Sequence, residues 1–241
     1  EAFLRLRSNI EFSDLDEVMQ VINVVSTNPD EGKSTVSTNL AMAYAKKYKR
    51  VLLIDTDLHN PSVHKMLKTS NSKGLTNLLK EYQKGEALAG SPYVQLFQVE
   101  EGRLLHFLPA GTRVPNPLEV LGSKRFALLI EEARKEFNVI IIDCPPYGVV
   151  SDSVPVSRIC DGTVYVVSAK ETNKYAARGA MEDLTRNGGR IIGTVLTKVE
   201  DMNSGHYGRY NKYGYGYGYG YGYGYGDYAD SAENEKTENK S

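Results

Sequence analysis

The sequence lacks several features that mark specialised classes of protein. Its 241 residues include two cysteines and no tryptophan, and two cysteines are too few for a disulfide framework, so we expect a reducing, cytoplasmic environment. The formal net charge is −1, which gives no electrostatic argument for binding nucleic acid. No apolar run approaches the roughly 18 residues that a membrane-spanning helix needs, so we expect another molecule to hold the chain wherever it works at a membrane.

A metal site built from histidine is also not indicated, because the four histidines lack the spacing of zinc ligands. The remaining composition is that of an ordinary globular protein, with 41% hydrophobic and 24% charged residues. Such a chain can bury a sizeable core.

Short apolar runs rich in β-branched residues recur along the first 200 residues. They are continuous rather than alternating, which is typical of strands buried on both faces of a parallel sheet. Helical patterns lie between them, so the sequence predicts an open, mostly parallel α/β sheet with helices on both faces. The predicted strands are 21–26, 51–54, 104–108, 139–142, 164–167 and 191–196, and the predicted helices are 33–48, 125–137 and 173–185.

The composition changes abruptly after about residue 200. Ten tyrosines fall between Tyr207 and Tyr228, and residues 213–226 alternate strictly between tyrosine and glycine. Glycine at every second position raises the entropic cost of ordering the backbone. The sequence therefore predicts a folded domain over 1–200 and a flexible tail over 201–241 with its tyrosine cluster at 207–228. A low-complexity segment that associates by aromatic stacking is the competing interpretation.

Residues 29–35 carry the clearest indication of a ligand site. Their sequence is Pro-Asp-Glu-Gly-Lys-Ser-Thr, and they stand between a predicted strand and a predicted helix, as a phosphate-binding P-loop requires. Backbone N–H groups and the positive helix end would hold phosphates, with Lys33 on the β- and γ-phosphates and Ser34 on Mg²⁺. The match is partial because Thr27 stands where the full pattern has its first glycine, and an ordinary helix start is the alternative.

Carboxylates follow two further predicted strands. Asp55 and Asp57 come after strand 51–54, and Asp143 comes after strand 139–142. Ligands in open α/β sheets bind outside the carboxyl ends of the strands, although a single aspartate there can equally cap a helix or form a turn. Together with the loop, these carboxylates predict a phosphoryl-transfer site in which one serves the metal and another accepts the proton of the incoming hydroxyl.

The loop, the Asp-Thr-Asp strand end, the Ile-Ile-Ile-Asp-Cys-Pro-Pro segment at 140–146 and the tyrosine-rich tail, in this order, resemble the bacterial tyrosine kinases. The closest resemblance is to the separate kinase subunit of Gram-positive capsule and exopolysaccharide systems, and it covers essentially the whole chain. It implies a P-loop fold shared with septum-placing and chromosome-partitioning ATPases. It also implies ATP- and Mg²⁺-dependent autophosphorylation of tail tyrosines, in trans, within a ring-shaped homo-oligomer.

The resemblance implies partners and a location as well. A membrane-spanning adaptor would activate the kinase and hold it at the inner face of the membrane, where phosphorylation would regulate polysaccharide synthesis and export. A nucleic-acid partner is not expected. The sequence leaves two other functions open: a regulatory ATPase of the partitioning type acting as a nucleotide switch, and a non-catalytic adaptor gated by nucleotide.

By motif match, the resemblance assigns a role to individual residues. Asp57 corresponds to the base for the tyrosine hydroxyl, and Asp55 and Asp143 correspond to carboxylates around the metal together with Ser34. The implied catalytic residues are Asp57, Lys33 and Asp55. The implied ATP-binding residues are Asp30, Glu31, Gly32, Lys33, Ser34 and Thr35. The implied phosphoacceptors are Tyr207, Tyr210, Tyr213, Tyr215, Tyr217, Tyr219, Tyr221, Tyr223, Tyr225 and Tyr228.

The chain departs from the family pattern at three positions. His59 replaces the arginine of Asp-x-Asp-x-Arg, and a permanent planar cation thereby becomes a titratable ring. Asp30 stands where glycine or serine is commoner, and Leu4 takes the middle arginine position of an N-terminal Glu-x-x-Arg-x-x-Arg oligomerisation pattern. The implied oligomerisation residues are Glu1, Arg5 and Arg7. A solvated helix face is the alternative role for the two arginines.

Overall fold

A sheet of seven strands organises the protein in a computed structural model that describes residues 1–13, 19–81, 85 and 87–200. The strands are β1 Val21–Ser26, β2 Val51–Asp55, β3 Gln95–Glu100, β4 Arg103–Leu108, β5 Val139–Asp143, β6 Gly162–Ser168 and β7 Ile191–Thr197. The helices are α1 Ala2–Glu11, α2 Lys33–Ala45, α3 Val63–Met66, α4 Leu75–Glu81, α5 Pro117–Leu121, α6 Lys124–Glu136, α7 Ser153–Ile159 and α8 Lys174–Arg186.

The strand order is β3-β4-β2-β5-β1-β6-β7. Every neighbouring pair is parallel except β3 and β4, which form an antiparallel hairpin at one edge. The register of β2 and β5 sets Asp55 directly opposite Asp143. The carboxyl ends of the central strands therefore bring two acidic side chains to one edge of the sheet.

The core has two layers because the central strands are buried on both faces. On one face, Leu52 and Ile140 pack with Phe126 of α6. On the other face, Leu53 and Ile141 pack with the layer that contains α1 and α2. The predicted α/β sheet with helices on both faces is confirmed, and apolar side chains dominate both layers, as the continuous hydrophobic runs require.

The predicted strands are all present, with bounds that differ by at most two residues. Strand β3 was not predicted, because its residues alternate between half-buried and exposed. It joins β4 through a tight turn at Gly102, where φ is +70°. Helix α2 ends at Ala45, three residues before the predicted end. The short helices α3, α4, α5 and α7 were also not predicted, since each is too short to show a full apolar period.

The predicted tail lies outside the described residues, so the division into a domain and a tail stays a prediction. Among the helices of the described part of the chain, none has the length and apolar character needed to cross a membrane.

The burial of β2 generates a test of the core. We expect Leu53→Ala to lower the free energy of unfolding by about 2–5 kcal/mol, because it leaves a cavity in a close-packed layer. The matched control is Leu118→Ala, since Leu118 is 47% exposed. Its change should stay within about 0.5 kcal/mol. Chemical denaturation measures both, and equal losses would contradict the assignment of Leu53 to the core.

Candidate active site

The segment between β1 and α2 forms a tight loop whose backbone conformation explains its sequence. Gly32 has a φ of +96° and Asp30 has a φ of +60°, the left-handed region that glycine adopts freely and aspartate tolerates better than most residues. A Cβ at position 32 would also lie 3.3 Å from the Thr197 methyl group. Asp30 therefore occupies a position that suits glycine, in accord with the residue commoner there in the family.

Helix α2 presents an uncapped N-terminus at the end of this loop. Its cap residue is Gly32, which has no side chain to accept from the first-turn amides. The N–H groups of the first turn have no partner inside the helix, and the helix dipole makes this end positive. A cavity of about 360 Å³ lies at this end and is lined by Lys33, Ser34 and Thr35, among others. This arrangement suits an anion such as phosphate.

Lys33 is the cation of the site. Its Nζ lies 3.2 Å from Oδ2 of Asp57, and both side chains are about nine-tenths buried or more, with 10% and 5% of their surface exposed. Burial lowers the pKa of Lys33, but the charges of Asp143, Asp57 and Asp55 outweigh it and raise the pKa above its ordinary value. Lys33 is therefore charged at neutral pH and available to a phosphate group.

Asp55 and Asp143 lie behind Lys33 and are fully buried. Asp55 accepts hydrogen bonds from the amides of Asp57 at 3.1 Å and Val63 at 3.3 Å. Burial, and then the neighbouring Asp143 and Asp57, raise the pKa of Asp55 well above its usual range. Burial likewise raises the pKa of Asp143 to about 6, although the charge of Lys33 opposes the rise. Both carboxylates thus favour either a proton or an additional cation.

The donor set fits Mg²⁺ bound together with a nucleotide. Oδ1 of Asp143 accepts from the Ser37 hydroxyl at 3.0 Å, while Oδ2 is buried without a hydrogen-bond partner. The described residues contain no group of three or more His, Cys, Asp and Glu side chains that could hold a metal by themselves. Mg²⁺ commonly uses only one or two carboxylates, with waters and substrate phosphates completing its shell. The unpartnered Oδ2 of Asp143 and the hydroxyl of Ser34 suit that role.

Asp57 differs from the other two carboxylates because it lines the cavity, whereas Asp55 and Asp143 do not. Its Oδ1 accepts from the Asn60 amide at 2.9 Å, and its Oδ2 faces Lys33. The structure thus brings together Lys33 and all three predicted carboxylates, and Asp57 is the one of the three that lines the cavity.

His59 also lines the cavity, and its Nε2 lies 2.6 Å from Oδ2 of Asp152. The pair joins the segment after β2 to Asp152 at the start of α7. Sequence analysis missed Asp152, since nothing in the local pattern around it indicates a ligand site.

Glu31 was predicted among the ATP-binding residues, but the structure does not place it in the lining of the cavity. Its carboxylate accepts from the loop's own amides and from Thr172. Thr197, the last residue of β7, donates from Oγ1 to the backbone oxygen of Glu31 at 2.6 Å. Thr172 was missed, because its contact with the loop spans 141 positions.

The three predicted oligomerisation residues lie on α1 or at its start and do not line the cavity. Glu1 and Arg5 pair with each other at 2.6 Å on the surface. Arg7 is mostly buried and donates from Nη1 to the backbone oxygen of Ala43 at 2.9 Å. Arg7 therefore holds α1 against α2, while Glu1 and Arg5 remain exposed. The predicted phosphoacceptor tyrosines lie outside the described residues.

Known proteins resemble this chain in sequence and in structure. A family model described as "ParA: NUBPL iron-transfer P-loop NTPase" matches residues 17–92. The tyrosine-protein kinase YwqD of Bacillus subtilis is 35% identical over 87% of this chain and 85% of its own length. The putative tyrosine-protein kinase CapB of Staphylococcus aureus is 32% identical over 88% of this chain and 90% of its own length. The crystal structure of the chimerical protein CapA2B2 has a TM-score of 0.73 and 33% identity, covering 80% of this chain and 82% of its own.

The carboxylates around Lys33 generate a test by pH. Because the folded-state pKa of Asp143 is about 6, above the ordinary aspartate value of 3.8, the folded state binds more protons between these values and stability falls as the pH rises through them. Lys33→Met removes the cation that opposes the increase in the pKa of Asp143. We expect its loss of unfolding free energy to grow from pH 5 towards pH 8, where it should reach about 3 kcal/mol.

Chemical denaturation of the nucleotide-free protein at several pH values measures this effect. Lys46→Met is the matched control, since Lys46 pairs with Glu100 at 3.3 Å in a half-exposed position and should lose little at any pH. A Lys33→Met loss that does not change with pH would contradict the electrostatic description of the site.

Proposed function

The chain belongs to the bacterial tyrosine kinases, and on this basis we propose that it binds ATP with Mg²⁺ in the cavity beside Lys33 and phosphorylates the tyrosines at 207–228. The observation that carries the proposal is the buried contact between Lys33 and Asp57, 3.2 Å apart at the uncapped end of α2. It places a phosphate-binding cation and a candidate base in one cavity.

The chain's own residues supply most of what phosphoryl transfer needs, which is positioning and charge rather than covalent chemistry. The first-turn amides of α2 and Lys33 would hold the phosphates, and Ser34 and Asp143 would hold Mg²⁺, with Asp55 as the neighbouring buried carboxylate. The metal ion, when bound, offsets the negative charge on the transferring group.

Asp57 is the group that accepts the proton of the tyrosine hydroxyl. The hydrogen bond from the Asn60 amide fixes its orientation, and it faces the cavity where the acceptor would enter. Before nucleotide binds, the charge of Lys33 is shared with Asp57. Phosphate oxygens bound in the cavity would share the Lys33 ammonium group with Asp57, which stays positioned beside them for the acceptor hydroxyl.

We also propose the assembly that the family resemblance implies. The kinase works in the cytoplasm at the inner face of the membrane, where a membrane-spanning adaptor activates it, and copies in a ring phosphorylate one another's tails. The similarity to the chimerical protein CapA2B2, whose name joins two components, supports a second protein as partner. Each phosphate adds about −1.5 to −2 charges, so ten modified tyrosines would make neighbouring tails repel and loosen the ring. Nucleic acid has no part in this function. The pathway served is capsule or exopolysaccharide synthesis and export.

Phosphotyrosine formation tests the proposal. We expect it after incubation of the full chain with ATP and Mg²⁺, more strongly when the cytoplasmic segment of the adaptor is supplied, and not in Lys33→Met. Replacing the ten tail tyrosines with phenylalanine should remove most phosphotyrosine and leave ATP binding intact, because the tail is the acceptor and not the nucleotide site.

Full phosphorylation of that tail variant would contradict the assignment of the acceptor. ATP hydrolysis without phosphotyrosine, even with the adaptor segment, would support a regulatory ATPase instead. ATP binding with neither reaction would support a non-catalytic adaptor.

Asp57→Asn tests the base. We expect phosphotyrosine formation to slow by about 10²–10⁴-fold, the usual contribution of general-base catalysis, while ADP binding is retained because asparagine keeps the shape of the side chain. Asp183→Asn is the matched control, since Asp183 lies on α8, does not line the cavity and accepts a hydrogen bond from Tyr147. This variant should keep both phosphotyrosine formation and ADP binding. An Asp57→Asn variant that phosphorylates at the parent rate would exclude Asp57 as the base.

A further inference from the structure

Glu31 stands within the phosphate loop, where a carboxylate is electrostatically unfavourable next to bound phosphate. Its side chain is turned away from the cavity and only 1% of the residue is exposed. A buried carboxylate persists only where donors satisfy it. The Glu31 carboxylate therefore has a role in the loop other than contact with the nucleotide.

Four donors converge on the Glu31 carboxylate. Oε2 accepts from the amides of Thr27 at 2.8 Å and Asn28 at 3.0 Å. Oε1 accepts from Nδ2 of Asn28 at 3.1 Å and from Oγ1 of Thr172 at 2.6 Å. All four groups donate in this arrangement, so both carboxylate oxygens act as acceptors, whereas a glutamine would turn its –NH₂ group towards the Asn28 amide and the Thr172 hydroxyl and require both to reorient.

We infer that Glu31 is a positioning residue, whose carboxylate shapes the phosphate loop and ties it through Thr172 to the segment between β6 and α8. The inference rests on the proposed function of the loop in ATP binding. Within the loop, Glu31 closes a turn from Thr27 to the left-handed residues Asp30 and Gly32. Removing the carboxylate would leave the buried amide of Thr27 without a partner and favour a different loop shape.

The backbone of Glu31 is tied down as well. Its carbonyl oxygen accepts from Oγ1 of Thr197 at the end of β7, and Oγ1 of Thr172 in turn accepts from the amide of Ser168 at the end of β6, at 2.8 Å. Two strand ends thus hold the residue that directly precedes Gly32 and the first turn of α2. The position of Lys33 relative to Asp57 depends on these contacts, since α2 starts at that point.

ADP affinity of the full chain tests the inference, measured by titration calorimetry for Glu31→Gln, Thr172→Val, the double variant and Thr172→Ser. We expect Glu31→Gln and Thr172→Val each to weaken ADP binding by about tenfold, the effect of losing one hydrogen bond to a charged group. The double variant should bind no more weakly than the weaker of the two single variants, because both changes break the same contact between Glu31 and Thr172. Thr172→Ser keeps the hydroxyl and should bind ADP with the affinity of the parent protein.

Thr163→Val separates a positioning role from a merely structural one. Thr163 is fully buried in β6 and donates to Oδ1 of Asn23 at 2.7 Å, so its loss should lower the melting temperature without changing ADP affinity. Parent-like ADP affinity in Glu31→Gln and Thr172→Val would overturn the inference. So would additive losses in the double variant, or equal weakening by Thr163→Val.

Two further outcomes are distinguishable. If Glu31→Gln does not fold, the comparison of Thr172→Val with Thr172→Ser decides, because valine and serine differ in the hydroxyl that reaches Glu31, and equal affinities would overturn the inference. If the parent protein itself does not bind ADP, the proposed function fails, and with it the premise on which the role of Glu31 rests.

Discussion

The charge of Lys33 among three buried carboxylates is the interaction on which the site depends. The parallel register of β2 and β5 sets Asp55 opposite Asp143, and Asp57 follows two residues after Asp55. Carboxylates this close and this buried are costly without a counter-charge, which is reflected in the raised pKa values of Asp55 and Asp143. One lysine does not neutralise three of them. The carboxylates therefore favour a second cation beside Lys33, in accord with the Mg²⁺ that we propose binds together with the nucleotide.

The phosphate loop also contains a buried carboxylate, but hydrogen bonds rather than a counter-charge satisfy it. Its carboxylate, Glu31, is satisfied by donors from the loop itself and from Thr172, so the amides at the start of α2 remain for an anion. The unusual backbone conformations at Asp30 and Gly32 are held by the same contacts. The absence of a glycine at Thr27 is accommodated because its hydroxyl bonds to the Tyr165 hydroxyl at 2.9 Å and its amide to Glu31. A loop that matches the general pattern only in part thus remains well formed.

The fold alone does not separate a kinase from a nucleotide switch, because one fold can host unrelated functions. The membership of the chain in the tyrosine kinases comes from its similarity to whole kinase chains. In the site itself, the distinguishing feature is Asp57, which faces the cavity while Asp55 and Asp143 lie behind it. A carboxylate that lines the cavity suits the role of base that we propose for Asp57.

The sequence by itself determined the sheet, the loop and the carboxylates at its edge, since continuous β-branched runs specify buried strands and parallel strands bring their ends together. It did not show β3, whose alternating, half-exposed residues carry a weak signal. Only the tertiary structure decided that Glu31 turns away from the cavity, that His59 meets Asp152 and that Thr172 joins the loop. The physical reason is distance along the chain. Hydrogen bonds that span 93 and 141 positions follow from strand order and crossover geometry, which no local pattern encodes.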